Sequence, residues 1–449
     1  MAKRVNLLSE PILSTLIKLS LPLMGMSCIQ MAYNLTDMFW IGRLGAGAVA
    51  SVGTGGLLVW FCTGLHTISQ LGGQVYVAQN IGAGDMKKAG QYATASMTLS
   101  TILTVILGLI FFFGTTPIVS FFQLNDPTVV ADAEIYIKVT CGFIFFMLLS
   151  KLLTALITTT GDSKTPFIAT TIGLVFNIIL DPILIFGYLG APALGVLGAA
   201  YATVFAQMVV FALLFIQVLR GQHLFAHVSL KNFPALPIFK DIVKLGLPTT
   251  LQATFFPTIS MFISRLVAGF GDEAVAVQRI GSQVESVSWM TAEGFATAVN
   301  SFMGQNYGAR NGKRTKDCYY QAATMLIVIG LFNTALLILG AEAIFNLFVT
   351  EPEVIAMGAT YLVILGISQV FMCLEILSSS AMNALGQTLM PATVSIVFTG
   401  MRIPLALMLT ATVLGLSGIW WSIAISTIFK GILLAGATVW ILRQPKYTC

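Results

Sequence analysis

What this sequence lacks narrows its class first. Only 9% of its 449 residues are charged, against about 25% in a soluble globular domain. That shortage excludes the soluble classes, and 57% of the residues are hydrophobic. The three histidines (His66, His223, His227) form no ligand cluster. The six cysteines (Cys28, Cys62, Cys141, Cys318, Cys373, Cys449) are scattered without a CxxC pair, mostly in apolar runs. Buried inert thiols are expected rather than a metal site or a disulfide framework. No HExxH, no GxSxG and no paired catalytic His or Cys occurs, and the polar loops are too short for a catalytic domain. The net charge of +5 does not point to nucleic acid, because the basic residues lie in short loops, where they set topology. MAKRVNLLSE leads into Pro11 and a long apolar run, so no removable signal peptide is expected. A polytopic, all-α membrane protein that is not an enzyme and carries no cofactor is the class that remains.

Twelve apolar spans can be read, at roughly 14–40, 46–70, 89–114, 133–157, 166–187, 195–219, 239–265, 274–297, 317–340, 354–378, 391–412 and 417–442. Lys3, Arg4, Lys87, Lys88, Lys164, Arg220, Lys231, Lys240, Arg310, Lys313, Arg314, Lys316, Arg443 and Lys446 all fall on one side of these spans. Asp126, Asp132, Asp272, Glu273, Glu342, Glu351 and Glu353 fall on the other, with Arg43 and Arg265. The basic side is expected to be cytoplasmic, which puts both termini there in a plasma (inner) membrane. The longest loop lies at the midpoint and divides the chain into an N-lobe at 1–220, a linker at 221–238 and a C-lobe at 239–449. A repeat supports the division. IKLSLP at 17–22 returns as VKLGLP at 243–248, Ala48-Val49-Ala50 as Ala274-Val275-Ala276, and Gln79-Asn80-Ile81-Gly82-Ala83 as Gln305-Asn306-Tyr307-Gly308-Ala309, all at one constant offset. Tyr136, Gly161 and Pro166 pair with Tyr361, Gly386 and Pro391 at an offset shorter by a single position. Six spans per half make the repeat parallel, a transporter architecture in which two bundles rock about a shared cavity. Two fused halves need no partner subunit, so a monomer is expected.

The first span carries an anomaly. Between Ser20 and Arg43 the chain is almost wholly apolar, yet it contains Asp37, with Asn34 three and Gln30 seven residues before it on the same helical face. A carboxylate in the bilayer costs at least ~2.5–3.5 kcal/mol, so it faces protein or a wet cavity. Pro22 removes one backbone hydrogen bond from that helix, and a bend is expected there. The repeat then shows where the halves differ. Asp37 aligns with Ile263, Asn177 with Arg402 and Asp181 with Ala406. Asn177 and Asp181, four residues apart, share one face of span 5, while Tyr136 and Thr203 add hydroxyls from spans 4 and 6. Asp37, Asn177, Asp181 and Thr203 thus form a candidate proton or Na⁺ site of oxygen ligands. The plainer alternative is that both acids only hydrogen-bond to neighbouring helices. Gln30, Asn34, Tyr136, Met31, Glu285 and Met290 are the candidate lining of a substrate cavity. Glu285 is equally consistent with pairing to an arginine. Glu293 and Glu375, near the span ends, read as solvated or packing groups, and Lys151 as a residue reaching for the membrane surface.

LSLP in span 1, NLTDMFWIGRLG around Asp37, FNIILDP in span 5, and the loops AQNIGAGD and GQNYGARN together carry a resemblance to the multidrug and toxic compound extrusion (MATE) transporters, over essentially the whole chain. The acids of the first half resemble the DinF-like branch. The resemblance implies a V-shaped pair of six-helix lobes exchanging inward-open and outward-open states. It implies export of small organic, often cationic and aromatic compounds against H⁺ or Na⁺, with Asp37 as principal coupling site, Asn177 and Asp181 completing it, and Pro22 as a helix hinge. A flippase for lipid-linked saccharides, which shares the architecture, is the alternative; it needs basic cavity residues, for which Arg279 and Arg402 are the candidates.

Overall fold

The computed structural model describes every residue except 1–4, 123, 125, 222, 230–233 and 446–449. Lys3, Arg4, Lys231, Lys446 and Cys449 therefore lie outside the described residues. Seventeen helices account for nearly all of the described residues: α1 (Ile12–Gly42), α2 (Ala46–Gly82), α3 (Met86–Phe113), α4 (Thr115–Phe121), α5 (Pro127–Thr140), α6 (Ile144–Thr159), α7 (Lys164–Phe186), α8 (Val196–Leu219), α9 (Leu236–Ala268), α10 (Asp272–Gly308), α11 (Gly312–Leu339), α12 (Ala341–Phe345), α13 (Pro352–Ile367), α14 (Gln369–Ala384), α15 (Leu389–Gly400), α16 (Arg402–Thr410) and α17 (Leu416–Leu442). Among the described residues nine helices or continuous pairs are long and apolar enough to cross a bilayer. The bent pairs α5–α6 and α13–α14, broken by 45° and 46°, make two more. The twelfth span is α10, which matches α2 in length but carries Asp272, Glu273, Arg279, Glu285 and Glu293.

The repeat holds at the level of backbone geometry. Asp85 caps α3 by accepting from Lys88 N, and Asn311, its counterpart in the second half, caps α11 by accepting from Arg314 N; such caps satisfy amides that a helix start leaves open. Gly195 (φ 57°, ψ −129°) opens α8 and Gly415 (φ 49°, ψ −125°) opens α17, in a conformation that glycine adopts at little cost. The packing is that of a membrane protein. Large apolar side chains such as Phe113, Phe121 and Leu339 point outward, while Ser51, Ser69, Ser96, Ser100 and Thr104 are buried between helices.

Contacts group the chain into two units. The N-lobe unit holds Met1–Asn6 and Gly25–Thr250, and the C-lobe unit Leu7–Met24 and Leu251–Cys449. The first turns of α1 thus pack with the C-lobe unit, where Asn306 Nδ2 and Arg314 Nη2 donate to Leu7 O at 3.0 and 3.1 Å. The first turns of α9 pack with the N-lobe unit, where Tyr92 donates to Asp241 Oδ2 at 2.8 Å. α1 continues as a helix through Pro22.

Candidate functional site

The N-lobe unit gathers its polar set from α1, α7 and α8. Asn177 and Asp181 face inward from α7 and are fully buried, and Asn177 Nδ2 donates to Asp181 Oδ1 at 3.2 Å. The Asp37 carboxyl, carried on α1, is set against the Asp181 carboxyl and the Asn177 amide. Asp37 Oδ1, Asn177 Oδ1, Asp181 Oδ2 and Thr203 Oγ1 are all buried and unpartnered. Buried oxygens are rarely left so. Two ionised carboxylates about 4 Å apart repel by about 4 kcal/mol at an effective dielectric of about 20, and among the described residues no ion pair reaches either acid. A proton or a hard cation between them would remove that repulsion and engage the free oxygens. No three His, Cys, Asp or Glu gather anywhere among the described residues, so the donors here are two carboxylates plus neutral oxygens.

Tyr33 joins this group and was not singled out from the sequence. It lies one helical turn before Asp37, is buried, and leaves its hydroxyl unpartnered. Its position four residues before an acid in an apolar span was the available signal. Tyr136 is buried beside the same acids, with its ring against Gly55. Gln30 and Asn34 bond instead to each other, at 3.3 Å, with Asn34 exposed, and Met31 is half-buried.

In the C-lobe unit the matching positions are apolar. Ile259, Ile263 and Ala406, the counterparts of Tyr33, Asp37 and Asp181, pack in one hydrophobic cluster with Ile423 at its edge. Glu285 accepts from Gln369 Nε2 at 3.3 Å and Met290 is half-buried. Arg402 is buried and donates to Ser426 Oγ at 2.7 Å and Thr427 Oγ1 at 3.1 Å, while Arg279 is exposed. Of the two readings offered for Glu375, solvated or packing, the structure favours the second: it is largely buried and paired to Lys430 at 2.8 Å. Lys151 likewise turns inward, to Thr63 Oγ1 at 3.4 Å.

Two pseudo-symmetric six-helix bundles in a membrane, one with a buried acidic pair, define a secondary transporter rather than an enzyme. The MatE family model matches residues 22–183 and again 248–408, once in each half of the repeat, and the chain belongs to that family. It is similar to the probable multidrug resistance protein NorM of Thermotoga maritima, 27% identical over 93% of this chain and 90% of that one. It is similar also to the FAD transporter of Shewanella oneidensis, 24% identical over 96% and 95%. Among solved structures, an outward-facing multidrug resistance MATE transporter of the MOP superfamily superposes with a TM-score of 0.90 at 25% identity, covering 99% of both chains. A MOP superfamily transporter of Pyrococcus furiosus, whose binding pocket is described as reversed in polarity, superposes with a TM-score of 0.90 at 26% identity over 98% of both.

Proposed function

We propose that this protein exports small, drug-like organic compounds across a plasma (inner) membrane by alternating access, in exchange for H⁺ or Na⁺. The observation that carries the reading is the acidic pair Asp37–Asp181 with Asn177 and Thr203: four buried oxygens without partners and no basic side chain paired to them. A cation that binds there favours one lobe conformation and substrate favours the other, and that differential affinity couples the two fluxes. Pro22 gives α1 a place to bend as the charge beside Asp37 changes. Substrate contacts are assigned to Gln30, Asn34, Met31 and Tyr136 within the N-lobe and, separately, to Glu285 and Met290 within the C-lobe. The protein works as a monomer with both termini cytoplasmic. Relatives named for multidrug resistance support the substrate class.

The flippase reading asks for a basic group free to take a pyrophosphate; the Arg402 guanidinium already serves two hydroxyls, which leaves it the exposed Arg279 alone of its two candidates. The test is efflux of ethidium from inverted vesicles, energised separately by a pH gradient and a sodium gradient. Wild type responds to at least one of them. Asp37→Asn, folded in the membrane, responds to neither, and undiminished efflux by that variant would remove the mechanism.

A further inference from the structure

The two lobes balance their buried acids in different ways. In the N-lobe unit Asp37 and Asp181 have only neutral neighbours at hand. In the C-lobe unit two acids, Glu285 on α10 and Glu375 on α14, share the interior with two bases, Arg402 on α16 and Lys430 on α17. Lys430 Nζ contacts Glu375 Oε1 at 2.8 Å, and Lys430 is 3% exposed. Arg402 is 7% exposed, within electrostatic range of Glu375, Glu285 and Tyr361. No carboxylate touches it: its donors go to Ser426 and Thr427, and its guanidinium lies 5.6 Å from the centre of the Phe256 ring. Glu285 has Gln369 as its hydrogen-bond donor and Arg402 as the positive charge acting on it. Arg402 stands at the repeat position of Asn177, inside the candidate N-lobe ion site.

We propose that Arg402 and Lys430 are tethered counter-cations, which supply Glu285 and Glu375 with the positive charge that Asp37 and Asp181 must take from an exchangeable ion. The C-lobe then binds no coupling ion, and the exchange is confined to the N-lobe. Arg402 is a positioning residue here, acting through Glu285. A charge on a side chain cannot dissociate as the lobes move, so the C-lobe acids stay neutralised through the cycle and contribute nothing to the cation count. The physical requirement is general: a carboxylate held in a low-dielectric interior needs a compensating charge, and removing one partner of a buried pair leaves the other uncompensated. Glu285 is the acid that loss of Arg402 would free, since Lys430 holds Glu375.

This rests on the proposed ion exchange at Asp37, and the experiment separates the two. The full-length protein is purified in detergent, and its thermal midpoint is measured in NaCl against choline chloride at pH 5 and pH 8. Wild type is stabilised by Na⁺ or by low pH, and Asp37→Asn with Asp181→Asn loses that response. If those two substitutions leave it intact, the exchange at the N-lobe acids fails, whatever the C-lobe does. On the Asp37→Asn/Asp181→Asn background, Arg402→Gln should restore a stabilisation of several degrees by Na⁺ or low pH, and further replacement of Glu285→Gln should abolish it. A folded Arg402→Gln variant without that response overturns the proposal. Should Arg402→Gln fail to fold, Arg402→Gln/Glu285→Gln removes charge and acid together and is expected to fold. Failure of that pair as well makes Arg402 a packing residue and overturns the proposal. Arg402→Lys keeps the charge and should show no new response.

Discussion

At the scale of single residues, charge balance separates the two lobes. Asp37 and Asp181 sit together without a base, and Glu375 sits with Lys430 at 2.8 Å. Breaking a buried pair from one side costs about 3–5 kcal/mol, whereas replacing both partners by apolar groups of similar volume is often near neutral. Lys430→Met is therefore expected to lower unfolding stability by roughly that amount, and Lys430→Met/Glu375→Met to recover most of it, as read from denaturation in detergent. Tyr33 allows a finer test. Tyr33→Phe keeps the ring packed and removes one unpartnered hydroxyl. A hydrogen bond to a charged group is worth about 1.5–3 kcal/mol, so the cation concentration for half-maximal efflux should rise by at least about tenfold with maximal efflux retained. Asp37, Asn177 and Asp181 were legible because polar groups stand out in apolar spans and because the second half lacks them. The Glu375–Lys430 pair was not, since nothing in the spacing of α14 and α17 says that they touch at that height.

At the scale of elements, length and hydropathy located the spans, but not their breaks. α5–α6 and α13–α14 bend by 45° and 46° at matching places in the two halves. Gly142 marks the first break; the second falls at Ser368, two residues after Gly366, whose carbonyl accepts from Thr334 Oγ1 at 2.8 Å. A glycine at or near each break is compatible with a bend, but span length and hydropathy do not record it. The same elements hold a paired close contact. A methyl added at Gly55 of α2 would lie 2.6 Å from the Tyr136 ring of α5, and one at Gly281 of α10 would strike Tyr361 of α13. Overpacking of this kind costs about 1–3 kcal/mol. Gly55→Ala and Gly281→Ala are thus expected to destabilise similarly in thermal unfolding. Only Gly55→Ala, which pushes on a tyrosine beside Asp37 and Asp181, should also weaken cation-driven efflux.

At the scale of the whole molecule, one repeat runs through sequence, helix caps and left-handed glycines alike. Chain order suggests a division at the midpoint loop. Contacts instead assign Leu7–Met24 to the C-lobe unit and the start of α9 to the N-lobe unit. No local pattern encodes that exchange, because it depends on which bundle each helix start meets. Arg314 and Asn306, through their bonds to Leu7 O, are the residues that hold it in place in the C-lobe unit. Arg314→Ala should therefore increase protease access to residues 5–11 while leaving the repeat helices intact.

The central claim is that the Asp37–Asp181 pair exchanges a cation for substrate, and coupling of that kind must run in both directions. The direct measurement uses proteoliposomes that enclose a pH-reporting dye and, in parallel, a sodium-reporting dye, with an ethidium gradient as the sole driving force. The account predicts that downhill ethidium movement drives H⁺ or Na⁺ the opposite way in wild type and drives neither in Asp37→Asn. Ethidium movement without any counter-flow of either cation in wild type, or with undiminished counter-flow in Asp37→Asn, would contradict it.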